Sequence, residues 1–172
     1  PFVIHGLQVS DVDAGSSTME VTLSVLHGTL NLPVGSGGTV TGNGTGSLVL
    51  SGSQDAINAL LSGGVTYQGE QDFNGQDALT MVTNDRGNTG SGGALSDTDV
   101  LSIEVQPVND APINQVPDAM AVKEDGSLSL SGISVKDVDA GSAPMSMVLR
   151  VEHGVLTRLG AAGAVSVRGA GS

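Results

Sequence analysis

Apolar side chains recur at every second position in short runs along this chain, and the runs are separated by glycine, asparagine, aspartate and serine. Successive side chains on an extended backbone point to opposite sides, so such alternation buries one face of a strand and wets the other. It predicts strands near 2–9, 20–26, 28–32, 38–41, 46–51, 64–68, 77–83 and 99–106. One segment breaks the period. In SQDAINALLSGG, Ile57, Leu60 and Leu61 stand at helical spacing, Ser53 is placed to cap the first turn, and Gly63 to close the end. The expectation is a short helix bridging two sheets. Further along, AMAVKEDGSLSLSGISVKDVD reads as a strand, a turn at 124–126 and a second strand ending at Asp137. The HG pairs at His27 and His153 read as tight turns between hairpin strands.

The pattern is itself repeated. Residues 5–30 overlie residues 131–156 without a gap at a constant offset of 126, and 14 of the 26 positions are identical. The shared set includes DVDAGS, the methionine after it and the later HG. A period of about 125 residues is too long for a solenoid unit of about 20 to 50 and fits a whole domain. The expected organisation is one nearly complete repeat at 1–110, lacking its first strand, and the N-terminal part of a second, truncated repeat at 111–172. The second part is expected not to close a sandwich alone. It should be mobile or borrow strands from another chain, giving a strand-swapped homo-oligomer.

Composition sharpens the fold class. Phe2, Phe73 and Tyr67 are the whole aromatic set and glycines number 26, so the core must rest on valine, leucine and isoleucine between frequent turns. That suits an all-β sandwich of short strands. Cysteine is absent, which removes disulfides and thiolate metal sites. No apolar run approaches the ~20 residues a membrane span needs, so direct membrane insertion is not expected.

Charge directs attention to the acids. Eighteen acidic residues against six lysines and arginines give a formal net charge of −12, which repels phosphate backbones and argues against nucleic acid as a partner. So large an excess also strains a compact state unless cations bind. The acids gather at strand ends and turns: Asp11 with Asp13, Asp137 with Asp139, Asp72 and Asp77 in EQDFNGQD, Asp85 in NDR, Asn109 and Asp110 in VND, and Glu124 with Asp125. If strands 77–83 and 99–106 are antiparallel neighbours, Asp72 or Asp77 should meet Asn109, Asp110, Asp137 and Asp139 in one oxygen-rich cluster. Asp85 should lie at the opposite end with Asp97 and Asp99. Hard oxygen donors without cysteine or convergent histidine select calcium, which takes 6 to 8 oxygens, over zinc or copper. The competing reading is that a strand-end aspartate forms a turn by bonding backbone amides. A turn needs only one acid, so the repeated DVD pair favours metal. An EF-hand loop does not fit, because the glycine of DVDAGS falls one place early and no glutamate closes the loop.

On these motifs the chain resembles the bacterial cadherin-like tandem repeats of very large surface adhesins. The residues that carry the resemblance are VNDAP at 108–112, VKEDG at 122–126, DVDAGS at both places, DFNGQDALT from Asp72 to Thr80, and LSDTDVLSIEVQPVNDAP closing the first repeat. The resemblance implies an immunoglobulin/cadherin-like Greek-key β-sandwich with Ca2+ at domain junctions, Glu124 and Asp125 serving the next junction. It also implies an extracellular, cell-surface role as a stalk or ligand-contacting unit in adhesion and biofilm formation. The expected partners are neighbouring repeats of the same chain and a cell-surface glycan or protein.

An enzyme is not expected. His27 and His153 recur at equivalent places, which fits a turn role, and no nucleophile elbow appears. A paired-carboxylate glycosidase holds its acids about 5 to 9.5 Å apart, usually beside aromatic sugar platforms, which this chain almost lacks. The alternative is a calcium-dependent carbohydrate- or surface-binding module of a larger extracellular protein. Asn43 to Thr45 fits a glycan acceptor pattern, and also a glycine-rich turn.

Overall fold

The computed structural model describes residues 1–33, 37–87 and 92–157, and residues 34–36, 88–91 and 158–172 lie outside that set. The alternating runs become strands. In β2 (Met19–Ser24) the sequence MEVTLS buries Met19, Val21 and Leu23 and leaves the residues between them half-buried. It sits at the centre of a five-stranded antiparallel sheet, between β5 (Ser47–Gly52) and β7 (Gly75–Asn84), with β4 (Thr39–Thr41) and β8 (Ser96–Val105) on the two edges. A second antiparallel sheet orders β1 (Phe2–Ile4), β6 (Val65–Gly69) and β3 (Gly28–Asn31) side by side. Both sheets contribute to one aliphatic core: Val21, Leu23, Leu48, Leu50 and Leu79 from the larger, Ile4, Leu30, Val65 and Tyr67 from the smaller. Among its described residues the first unit, Pro1–Val108, is therefore all-β and sandwich-like, apart from one helix.

That helix is α1 (Gln54–Leu61), and it carries the chain from β5 in one sheet to β6 in the other. Ser53 accepts a hydrogen bond from the Ala56 amide at 3.3 Å, and Ile57, Leu60 and Leu61 are buried, as the spacing predicted. The exit differs by one residue. Ser62 is the C-cap, and Gly64, not Gly63, takes the left-handed conformation, at φ 82°, with its amide on the Leu61 carbonyl. Among the described residues no helix is long and apolar enough to cross a membrane.

The expected strand at 2–9 stops at Ile4, because Gly6 turns the chain at φ 83°. The residues beyond it are held by α1 instead of by a ladder. Elsewhere in this unit the expected strands appear with ends shifted by a few residues. β7 and β8 pair antiparallel over ten positions, from Gly75 opposite Val105 to Asn84 opposite Ser96.

The second unit begins at Asn109. It contains a two-stranded antiparallel ladder of β9 (Ile113–Gln115) and β10 (Ser134–Lys136). The turn at 124–126 forms, with the Gly126 amide on the Lys123 carbonyl at 3.0 Å, but the strand expected just before it does not. Residues 145–150, which the offset matches to β2, are irregular, and Met145, Met147 and Leu149 are exposed. The reason is pairing. β2 is a central strand laddered to β5 and β7, whereas residues 145–150 pair with no strand among the described residues.

Candidate functional site

The first acidic loop is built on α1. The side-chain amide of Asn58 clamps Val9 from both sides, its oxygen accepting from the Val9 amide at 2.8 Å and its nitrogen donating to the Val9 carbonyl at 2.9 Å. Gln54 accepts from the Asp11 amide at 2.7 Å. Thus positioned, Asp11 turns the chain: its Oδ1 accepts from the amides of Asp13 at 2.8 Å and Ala14 at 3.1 Å, Gly15 is left-handed, and the Ser17 amide closes onto the Ala14 carbonyl at 2.8 Å.

The second DVDAGS motif makes the same turn without the helix. Asp137 Oδ1 accepts from Asp139 at 2.9 Å and Ala140 at 3.0 Å, Gly141 is left-handed, and the Ala143 amide reaches the Ala140 carbonyl at 2.7 Å. Two copies in different surroundings adopt one geometry, so the geometry is written in the motif itself. The first aspartate of each pair is a turn former that fixes its own carboxylate.

Within the second unit the linker joins this loop. The Asp110 amide donates to Asp139 Oδ2 at 2.5 Å, and the Asn109 side chain donates to the Asp110 carbonyl at 3.0 Å. The structure therefore brings Asn109, Asp110, Asp137 and Asp139 together through backbone as well as side-chain oxygens. No group of three or more histidine, aspartate or glutamate side chains is arranged around a common point among the described residues.

Glu124 and Asp125 are exposed in the 123–126 turn, where Asp125 is left-handed at φ 58°. Asp72 is exposed and left-handed at φ 61°, in a turn where the Phe73 amide meets the Glu70 carbonyl. Asp85 clasps the β7–β8 connection. The amides of Leu95 and Gly87 donate to its Oδ1 and hold its carboxyl below the ordinary aspartate value. It lies at the same end of the sheet as Asp97, which pairs opposite Thr83.

Asp77 has an internal role that its strand-end position did not disclose. It is buried, and four donors fill both of its oxygens: Leu26 and Ala78 amides on Oδ1 at 3.1 and 2.8 Å, the His27 amide and the Tyr67 hydroxyl on Oδ2 at 3.0 and 2.9 Å. A carboxylate offers about four lone-pair sites, and three backbone amides with a share of the Tyr67 hydroxyl, which also donates to the His27 carbonyl at 2.7 Å, turn those of Asp77 inward. Burial alone would push its carboxyl up; the bonds from Ala78, Leu26, Tyr67 and His27 outweigh this and hold it below the usual value. Burial, with the bond to Asp77 and its charge, pushes the Tyr67 hydroxyl up to about 12. Since Tyr67 belongs to β6 and Asp77 to β7, the pair staples the two sheets at one end. Beside it His27 stacks on Phe73 with ring centroids 3.9 Å apart, 3.6 Å from Glu70.

The sequence reading missed Asn58 and Tyr67. Asn58 could have been found as the polar residue beside Ile57 on a helix with a narrow apolar stripe, and Tyr67 as the lone tyrosine of a chain with almost no aromatics. Set against known protein families, curated proteins and solved structures, the chain finds no match among them.

Proposed function

We propose that this chain is a calcium-binding structural and adhesive repeat of a large secreted or cell-surface adhesin, with an immunoglobulin/cadherin-like Greek-key sandwich. The observation that carries the reading is the DVDAGS loop, repeated at an offset of 126 with the same hydrogen-bonded turn and with two carboxylates two residues apart in each copy. A formal charge of −12 adds to it, since bound cations relieve self-repulsion. The donors in reach are all oxygen: Asp137, Asp139 and Asn109 side chains and the Asp110 carbonyl. Such a set fits calcium better than a transition metal. The ion would supply positive charge that draws the Asn109–Asp110 linker onto the Asp137–Asp139 loop. Held so, the passage from one repeat to the next is stiff; stripped of the ion, the acids repel and it swings.

The test is thermal melting and small-angle scattering of the whole chain with calcium and with chelator. Extracellular calcium modules bind with dissociation constants of about 10⁻⁴ to 10⁻³ M. At about 10 mM calcium the folded state should gain roughly 1.4 to 2.7 kcal/mol. The substitution D139N should remove most of that gain while leaving the Asp137 turn in place. Identical melting and scattering with and without chelator rejects the proposal.

A further inference from the structure

Asparagine stands directly before glycine at two places, Asn43–Gly44 and Asn74–Gly75. The pair carries a chemistry of its own. The amide nitrogen of the following residue can attack the carbonyl carbon of the asparagine side chain, and glycine favours this most, because no side chain hinders the approach and the backbone turns freely. In an unfolded chain the two sequences should react alike. The fold decides which of them reacts in the native protein.

At Asn43 both reactants are locked. Its Oδ1 accepts from the Leu32 amide at 2.8 Å, and its Nδ2 donates to the Leu32 carbonyl at 2.9 Å. The nucleophile is held as well, because the Gly44 amide donates to the Leu30 carbonyl at 2.9 Å. All three bonds must open before the ring can close. At about fivefold for each, that slows the reaction roughly a hundredfold. Asn74 is held differently. It is exposed, and its side chain makes no hydrogen bond with any described residue. It follows the turn that the Phe73 amide closes on the Glu70 carbonyl, where Asp72 is left-handed. Gly75 lies at φ 124°, and a carbon added to its Cα would meet nothing within 4 Å, so a ring has room to form there. Gly75 also opens β7, opposite Val105 at the close of β8. Its amide therefore belongs to the end rung of the ladder, where local opening costs least.

We propose that Asn74 is a self-modification site of the folded chain, with water as its only co-reactant, and that the Leu32 clamp keeps Asn43 silent. The Gly75 nitrogen bonds to Asn74 Cγ, the bond from Cγ to Nδ2 breaks, and Nδ2 leaves as ammonia with the proton that Gly75 gives up. Water then opens the cyclic imide at either carbonyl and restores the Gly75 amide proton. One opening yields aspartate, and the other yields isoaspartate, whose main chain runs through the former side chain and is longer by one carbon. Both products place a new carboxylate in the turn that already carries Glu70 and Asp72. The isoaspartyl product also lengthens the chain at the mouth of β7, just before Asp77.

The experiment incubates the whole chain at mildly alkaline pH, folded and in urea, and follows both asparagines by peptide mass spectrometry, with enzymatic methylation to mark isoaspartate. In urea the two should convert at comparable rates. In the folded chain Asn74 should convert to a mixture of aspartate and isoaspartate, while Asn43 lags roughly a hundredfold behind it. Four results overturn the proposal. Asn43 keeping pace with Asn74 in the folded chain would show that the clamp protects nothing. Asn74 converting in urea but staying an amide in the folded chain would show that the end rung of β7 shields it. Asn43 lagging equally in urea would trace the difference to the neighbouring sequence instead of the fold. Aspartate as the sole product at Asn74 would mean direct hydrolysis without a ring.

Discussion

Asn58 holds two backbone groups of Val9 with one side chain, and alanine there would leave both without a partner. N58A should cost about 2 kcal/mol in urea unfolding and speed hydrogen exchange at Val9 and Asp11. The Asp77–Tyr67 pair makes stability depend on pH at both extremes. The Asp77 carboxyl titrates lower folded than unfolded, so its contribution is complete above the unfolded value near ~3.9 and is lost as pH falls through the lower folded one. The Tyr67 hydroxyl is raised from 10.0 to about 12, so its contribution is complete below pH 10.0 and is lost as pH rises through about 12. D77N should flatten the acid limb of the stability curve and Y67F the alkaline limb, both read by chemical denaturation across pH. At this scale the sequence was only half legible. The acids of DVDAGS and VND stood out as a chemical pattern, and Asn109, Asp110, Asp137 and Asp139 are found together. An aspartate that serves the interior looks the same in sequence as one that serves an ion, and at Asp77 nothing in the sequence told the two apart.

Between elements, one feature of the repeated HG pair now has a cause. Gly28 lies opposite Gly69, and a side-chain carbon on Gly28 would sit 2.5 Å from the Gln68 carbonyl oxygen and 2.8 Å from the Tyr67 ring. G28A should therefore push β3 off β6 and destabilise the first unit by about 1 to 3 kcal/mol, measured by the shift of its thermal midpoint. The strands were readable because each alternates and each is bounded by turn residues; α1 was readable because a serine cap precedes three apolar residues at helical spacing. β1 was overestimated for a physical reason. Its apolar alternation continues through Leu7 and Val9, but a left-handed Gly6 breaks the ladder, and the later residues bond to Asn58 and Gln54, partners about 45 residues away that no local window contains.

The molecule as a whole shows how far a strand's existence depends on its neighbours. Residues 19–24 and 145–150 carry similar patterns, yet one is a strand and the other is not, because only the first has β5 and β7 beside it. Periodicity records which face a strand would bury, not whether anything is there to receive it. Supplying partner strands should order this region. A chain extended through a full second period is expected to show slow exchange at Met145, Met147 and Leu149; exchange as fast as in the present chain would show that the pattern alone does not suffice. The short ladder of β1 has a mechanical consequence as well. A pull applied at Phe2 and Val105 loads β1, tied to β6 by three residue pairs, against β8, tied to β7 by ten. The shorter tie yields first, and Asn58 then catches the chain at Val9, so the first extension is at most about 25 Å at ~3.4 Å per residue. Such a unit behaves under tension as a fuse in series with a lock: a small give that draws Ile4 from the core and leaves the residues of the larger sheet in place until the load is much greater.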